Sequence, residues 1–161
     1  MIGPTFTAAA ANTLTLYAER IGVCLDRLTP EQIWVRASEN ENAIGNLVLH
    51  LTGNLRQYTR HAILGEPDIR TRDDEFNAES GDDLKQRLAT VVADAASIIR
   101  AVTDERLTER IIVQNREMTV LEAIFKTTEH FALHTGQIMY ATKLATSTAL
   151  GFTTHNRKVG A

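Results

Sequence analysis

The chain has 161 residues, 43% of them hydrophobic and 23% charged, and a net charge of −3, which suits one domain with a proper core and excludes disorder or a multidomain organisation. With no basic surplus, neither nucleic acid nor an anionic membrane is an expected partner, and the single cysteine, Cys24, excludes an internal disulfide or a cysteine-based zinc site and points to the cytoplasm. Met1 to Ala11 lacks the pattern of a secretory leader, and no window approaches ~18 uninterrupted apolar residues, so a membrane span is not expected.

Prolines stand only at 4, 30 and 67, and alanine, leucine and threonine dominate where strands would need β-branched alternation, so the fold should be all-α. A first helix is predicted from Thr5 to about Leu28, with Phe6, Ala10, Leu14, Tyr17, Ile21, Cys24, Leu25 and Leu28 on its apolar stripe. A short helix follows, with Thr29 as cap, Pro30 at its first position and Gln32 closing a capping box. The second long helix should run from Ala43 to Leu64 and stop at Gly65 and Pro67. Glu66 to Ser80 reads as a polar, acid-rich loop long enough to join two parallel helices, with Asp73, Asp74 and Glu75 as a solvated run. A third helix is expected from Ser80 to about Val102 on Leu84, Leu88, Val92, Ala95 and Ile99. Ile111-Ile112-Val113 followed by Gln114-Asn115 suggests a short extended arm or hairpin. Thr119 and Glu122 form a second capping box, opening a last helix to about Thr148. Four long helices make a bundle, one domain over residues 1–161, with 152–161 a flexible tail.

Chemistry concentrates in the histidines. His130 and His134 are four residues apart, about 40° around a helix and one turn along it, so both can reach one ion. Ala123, Thr127, Ala141 and Ala145 share that stripe and leave space near the imidazoles. His50, on the flank of the second helix's apolar face, completes a three-histidine site with room for exogenous ligands. His61 lies eleven residues farther on, ~16 Å along the axis, and is too distant to share the ion. Asn54 and Gln137 flank the histidines as candidates to orient them.

Other templates fail. His130 is followed by Phe131 rather than the glutamate of a zinc peptidase, and no histidine follows a glutamate by three residues as in di-iron bundles. Glu129 points ~100° away from His130 and gains no role from adjacency. Cys24 is read as a small core hydrophobe, and Gly22, Gly53 and Gly136 as points of close helix approach.

The stretches Ile44-Gly45-Asn46-Leu47-Val48-Leu49-His50-Leu51, Gly53-Asn54-Leu55-Arg56-Gln57, Val120-Leu121-Glu122-Ala123 and Glu129-His130-Phe131 through His134-Thr135-Gly136-Gln137-Ile138 resemble the DinB-like superfamily of bacterial metalloenzymes. The resemblance covers nearly the whole chain. It implies an up-down-down-up four-helix bundle, commonly a homodimer, with one divalent ion on His50, His130 and His134. Some relatives transfer or isomerise with low-molecular-weight thiols, and others are called hydrolases. The leading expectation is therefore metal-dependent chemistry on a small-molecule substrate with a small thiol as nucleophile. Metal-assisted hydrolysis and a noncatalytic metal-binding helical dimer are the alternatives. Imidazole ligands leave zinc, nickel, iron and copper open.

Overall fold

A computed structural model describes residues 2–152. Four long helices form the bundle: α1 (Gly3–Leu25), α3 (Ile44–Arg56), α5 (Leu84–Arg100) and α7 (Val120–Thr146). Between them lie the short helices α2 (Pro30–Trp34), α4 (Arg72–Asn77) and α6 (Asp104–Leu107), and a hairpin of β1 (Arg110–Val113) and β2 (Arg116–Thr119).

Contacts between helix ends fix the directions. Beyond α1, Arg27 donates to the carbonyl of Leu150 and Gln32 to that of Ala145, so α1 and α7 run the same way. Lys85 at the start of α5 pairs with Asp26 past the end of α1, at 2.6 Å, so α5 opposes α1. The Trp34 ring stands against both Gly45 near the start of α3 and Gly81 before α5, while Arg60 reaches Asp94 at 2.7 Å, so α3 and α5 are parallel. This is the expected up-down-down-up order, with the parallel pair joined by a long crossover. The core is the shared interior of the four helices, where Leu14, Ile21, Val48, Leu51, Leu88, Ile99, Ile124 and Phe131 are nearly inaccessible. Burial pushes the Cys24 thiol pKa up, as suits a core hydrophobe.

Several boundaries differ from the sequence reading. α1 ends at Leu25, and α5 starts at Leu84 because Asp83 takes a left-handed conformation, φ 54°, that helix cannot continue through. Past Arg56 the second long helix widens into a π-helix over Gln57–Ile63, where Leu64 donates to the carbonyl of Thr59 five residues back. Both capping boxes form: Gln32 N–H donates to Thr29 Oγ1 at 3.3 Å and Glu122 N–H to Thr119 Oγ1 at 3.1 Å. The arm is a hairpin turned by Gln114 and Asn115, both left-handed, and it covers a small second core of Tyr58, Ala62, Val113, Met118 and Ala123.

The largest correction concerns the crossover. The acidic run expected to be solvated forms the first turn of α4, where negative charge suits the helix dipole, and Glu75 is buried. Asn46, fully buried on α3, holds it there: its Nδ2 donates to the carbonyls of Glu75 at 3.0 Å and Ala78 at 2.8 Å. Of the segment 152–161 expected to be flexible, Phe152 packs on the core beside Arg20, and the rest, with His155, lies outside the described residues.

Candidate metal centre

α3 and α7 cross antiparallel, which brings the flank of one helix onto the face of the other. His50 from α3 meets His130 and His134 from α7, and one nitrogen from each ring lies within 4.8 Å of the other two. The ring centroids are 4.5–5.1 Å apart, and the Nε2 atoms of His50 and His130 are 2.9 Å apart. Two imidazole nitrogens on one tetrahedral zinc at 2.0–2.1 Å would stand roughly 3.3 Å apart, so the His50–His130 pair needs to open by only a few tenths of an ångström. Among the described residues this is the one group of its kind that could hold a metal ion.

The arrangement selects a tautomer. His50 Nδ1 is 3.0 Å from Glu75 Oε2 and 3.1 Å from Arg70 Nη2. The arginine N–H is given to Glu75 Oε2 at the shorter 2.8 Å and the ionised carboxylate only accepts, so Nδ1 carries the proton and Nε2 turns a lone pair toward the cluster. Arg70 braces the carboxylate with two bonds of 2.8 Å, Nε to Oε1 and Nη2 to Oε2. The side chains of His50, Arg70 and Glu75 are only 7%, 6% and 9% exposed, so the pairing is desolvated on both sides. Burial pushes the Glu75 carboxyl pKa up, but the Arg70 and His50 hydrogen bonds outweigh it and hold the group below its ordinary value. Arg70 also donates through Nη1 to Gln57 Oε1 at 2.9 Å, which ties the brace to the π-helix.

On α7 the support is lighter. His134 Nδ1 lies 2.6 Å from Gln137 Oε1, on the outer side of that ring. Burial drives the His130 pKa down to about 4, helped by the neighbouring histidines, Arg70 and Lys126, and burial also lowers His134. Both rings are therefore neutral at neutral pH with lone pairs to offer. Asn54 makes no hydrogen bond to a histidine among the described residues; its Oδ1 accepts from Thr127 Oγ1 at 3.2 Å, and it lines the cavity beside them.

The histidines open into a cavity of about 670 Å³. Tyr58, Phe76, Leu133 and Glu129 contribute to its wall, and Phe76 tilts against His50 with ring centroids 4.7 Å apart. Ala123 and Thr127, expected to leave ligand space, are buried against the hairpin core and α3 instead, so the room comes from the gap between α7, α4 and the hairpin. His61 is away from the cluster and bonds the Glu66 carbonyl at 2.7 Å. Sequence reasoning missed Arg70, Glu75 and Asn46. Two signals were available: Asn46, a turn before His50 on the same flank, and the helix glycine Gly53, which the structure explains because a Cβ there would collide with the Glu75 carboxylate.

Fold and site together define a helical bundle with a three-histidine cluster that could hold a metal ion, opening to a cavity. The chain belongs to the family described as protein of unknown function (DUF1572), whose model matches residues 2–154. A crystallographically solved DinB-like protein, YjoA of Bacillus subtilis, is similar in fold: TM-score 0.64 over 94% of this chain and 97% of that one, at 17% sequence identity. No curated protein matches the chain. No helix among the described residues is long and apolar enough to cross a membrane.

Proposed function

We propose that His50, His130 and His134 hold one divalent metal ion, and that the chain is a metal-dependent enzyme whose nucleophile is a low-molecular-weight thiol. The observation that carries the metal reading is the convergence of three imidazole nitrogens within 4.8 Å, one of them fixed in tautomer by a buried carboxylate. An ion held there acts as a Lewis acid and lowers the pKa of a thiol or water that it binds.

The protein's own residues supply position and access. Glu75 and Arg70 orient His50, Gln137 orients His134, and the cavity between α7, α4 and the hairpin admits a small molecule. A water nucleophile benefits from a positioned general base, whereas a thiolate needs none. Glu75 is committed to Arg70 and His50, and Glu129 is exposed at the cavity wall, so the thiol reading is favoured over hydrolysis.

Zinc titration by calorimetry with elemental analysis tests the site. Wild-type protein should take up one equivalent per chain. His50→Ala, His130→Ala and His134→Ala should each lose more affinity than the 10–100-fold typical of a supporting residue, and His61→Ala should bind as wild type. Full occupancy in the three variants would overturn the assignment. With metal bound, absence of thiol conjugation or isomerisation across a panel of electrophiles would hand the site to hydrolysis or to noncatalytic binding.

A further inference from the structure

The cavity wall differs in charge from the rest of the chain. The protein carries a net −3, yet the charged side chains around the cavity are Arg70, Arg72, Arg116 and Lys126 against Glu129 alone. Arg70 is neutralised by Glu75 behind the histidines. The other three cations have no carboxylate within salt-bridge distance among the described residues, and they come from three different elements.

Each is placed by its local structure. The hairpin register pairs Arg116 with Val113, which puts Arg116 on the face that carries the buried Val113 and Met118, exposed at the turn end of the hairpin where it lines the cavity. Arg110, on the opposite face, has a partner in Glu117 at 3.4 Å, so of the two hairpin arginines Arg116 is the one left without a carboxylate. Lys126 lies one helical turn before His130 on α7, on the stripe that carries both histidines. The Arg72 guanidinium lies 4.8 Å from the centroid of Phe76, the ring that tilts against His50. Arg72 and Arg116 are exposed and Lys126 half-buried, so each is solvated on its own, but three cations without carboxylate partners around one cleft make a positive potential there that favours an anion.

We propose that the small molecule approaching the histidines is an anion, and that Arg72, Arg116 and Lys126 recognise its charged end while the reacting atom faces the imidazoles. The inference rests on the metal reading for the position of the reacting atom. The cation cluster is testable without it. The lining residues fit a compact molecule carrying a carboxylate at one end, because three cations with flexible stems surround one opening beside the neutral donors Tyr58, Asn54 and Gln114.

Two titrations test the proposal. In zinc-loaded protein, 3-mercaptopropionate should bind about tenfold more tightly than 2-mercaptoethanol, which offers the same sulfur and no carboxylate, and the preference should shrink at high salt. In metal-free protein, succinate should shift the NMR signals of the cavity residues. The combined replacement Arg72→Gln, Arg116→Gln and Lys126→Gln should abolish both effects while zinc affinity stays within about threefold of wild type. A control with the same change in net charge, Arg20→Gln, Lys85→Gln and Arg100→Gln, should retain both. Equal affinity for the two thiols, a preference that survives the cavity replacements, or an equal loss in the control would overturn the proposal. Failure of the wild type to bind zinc would overturn the metal reading alone and leave the succinate titration to decide on the cations.

Discussion

The helix α7 and the crossover between α3 and α5 serve the same cluster in opposite ways. α7 delivers two histidines through helical periodicity alone, and the support for His134 is an exposed glutamine three residues away on the same helix. The crossover delivers no cluster nitrogen, yet it folds a buried arginine–glutamate pair against His50 and fixes which nitrogen faces the site. Local spacing decides where side chains can meet. Nonlocal packing decides how they are presented.

Removing the charge of the crossover should have the largest effect. Glu75→Gln keeps the shape but leaves Arg70 without its carboxylate and frees the His50 tautomer, so zinc affinity should fall about 10–100-fold by calorimetry with helical content retained. Unchanged affinity would mean that His50 is oriented by packing against Phe76 and not by the carboxylate.

A second test uses two helix glycines, which should respond with opposite signs. Ordinarily an interior Gly→Ala replacement gains about 1 kcal/mol of helix stability. At Gly136 on α7 nothing lies within 4 Å of the added Cβ, so Gly136→Ala should stabilise by up to about 1 kcal/mol in urea unfolding. At Gly53 the Cβ would collide with the Glu75 carboxylate and stand 3.2 Å from Arg70 Nε, so Gly53→Ala should destabilise by about 1–3 kcal/mol. If both variants gain stability, the crossover does not pack on α3 as described.

The same contrast explains what was legible in the sequence. The helices, both capping boxes, the hairpin turn and the convergence of His130 with His134 all follow from residues within four positions of one another, where backbone geometry dictates proximity. The placement of His50 beside them needed bundle topology as well as its own flank position. Glu75 looked like part of a solvated acidic run because its partners, Arg70 and His50, are 5 and 25 residues away, and its burial depends on the Asn46 clamp on another helix. The π-helix was equally hidden, since Gln57 to Ile63 keeps an apolar spacing that an α-helix satisfies as well. Small residues on α7 misled in the other direction: Ala123 and Thr127 are small because the hairpin and α3 pack close, not because a ligand needs the space.

The smallest expected effect belongs to the local arm of the comparison. Gln137 accepts from His134 at 2.6 Å, as Glu75 does from His50 at 3.0 Å, so bond length alone would rank the glutamine higher. Charge and solvent reverse that ranking. The Glu75 carboxylate is ionised, braced by Arg70 and shielded from water, so the proton on His50 Nδ1 has no competing acceptor. The Gln137 amide is neutral and exposed, and water can replace it at His134 Nδ1 with little loss. Gln137→Ala should therefore reduce zinc affinity by at most about tenfold, at the low end of what a supporting residue contributes, and by less than Glu75→Gln in the same titration. The reverse order would show that strength of orientation follows hydrogen-bond length and not the burial and charge of the partner.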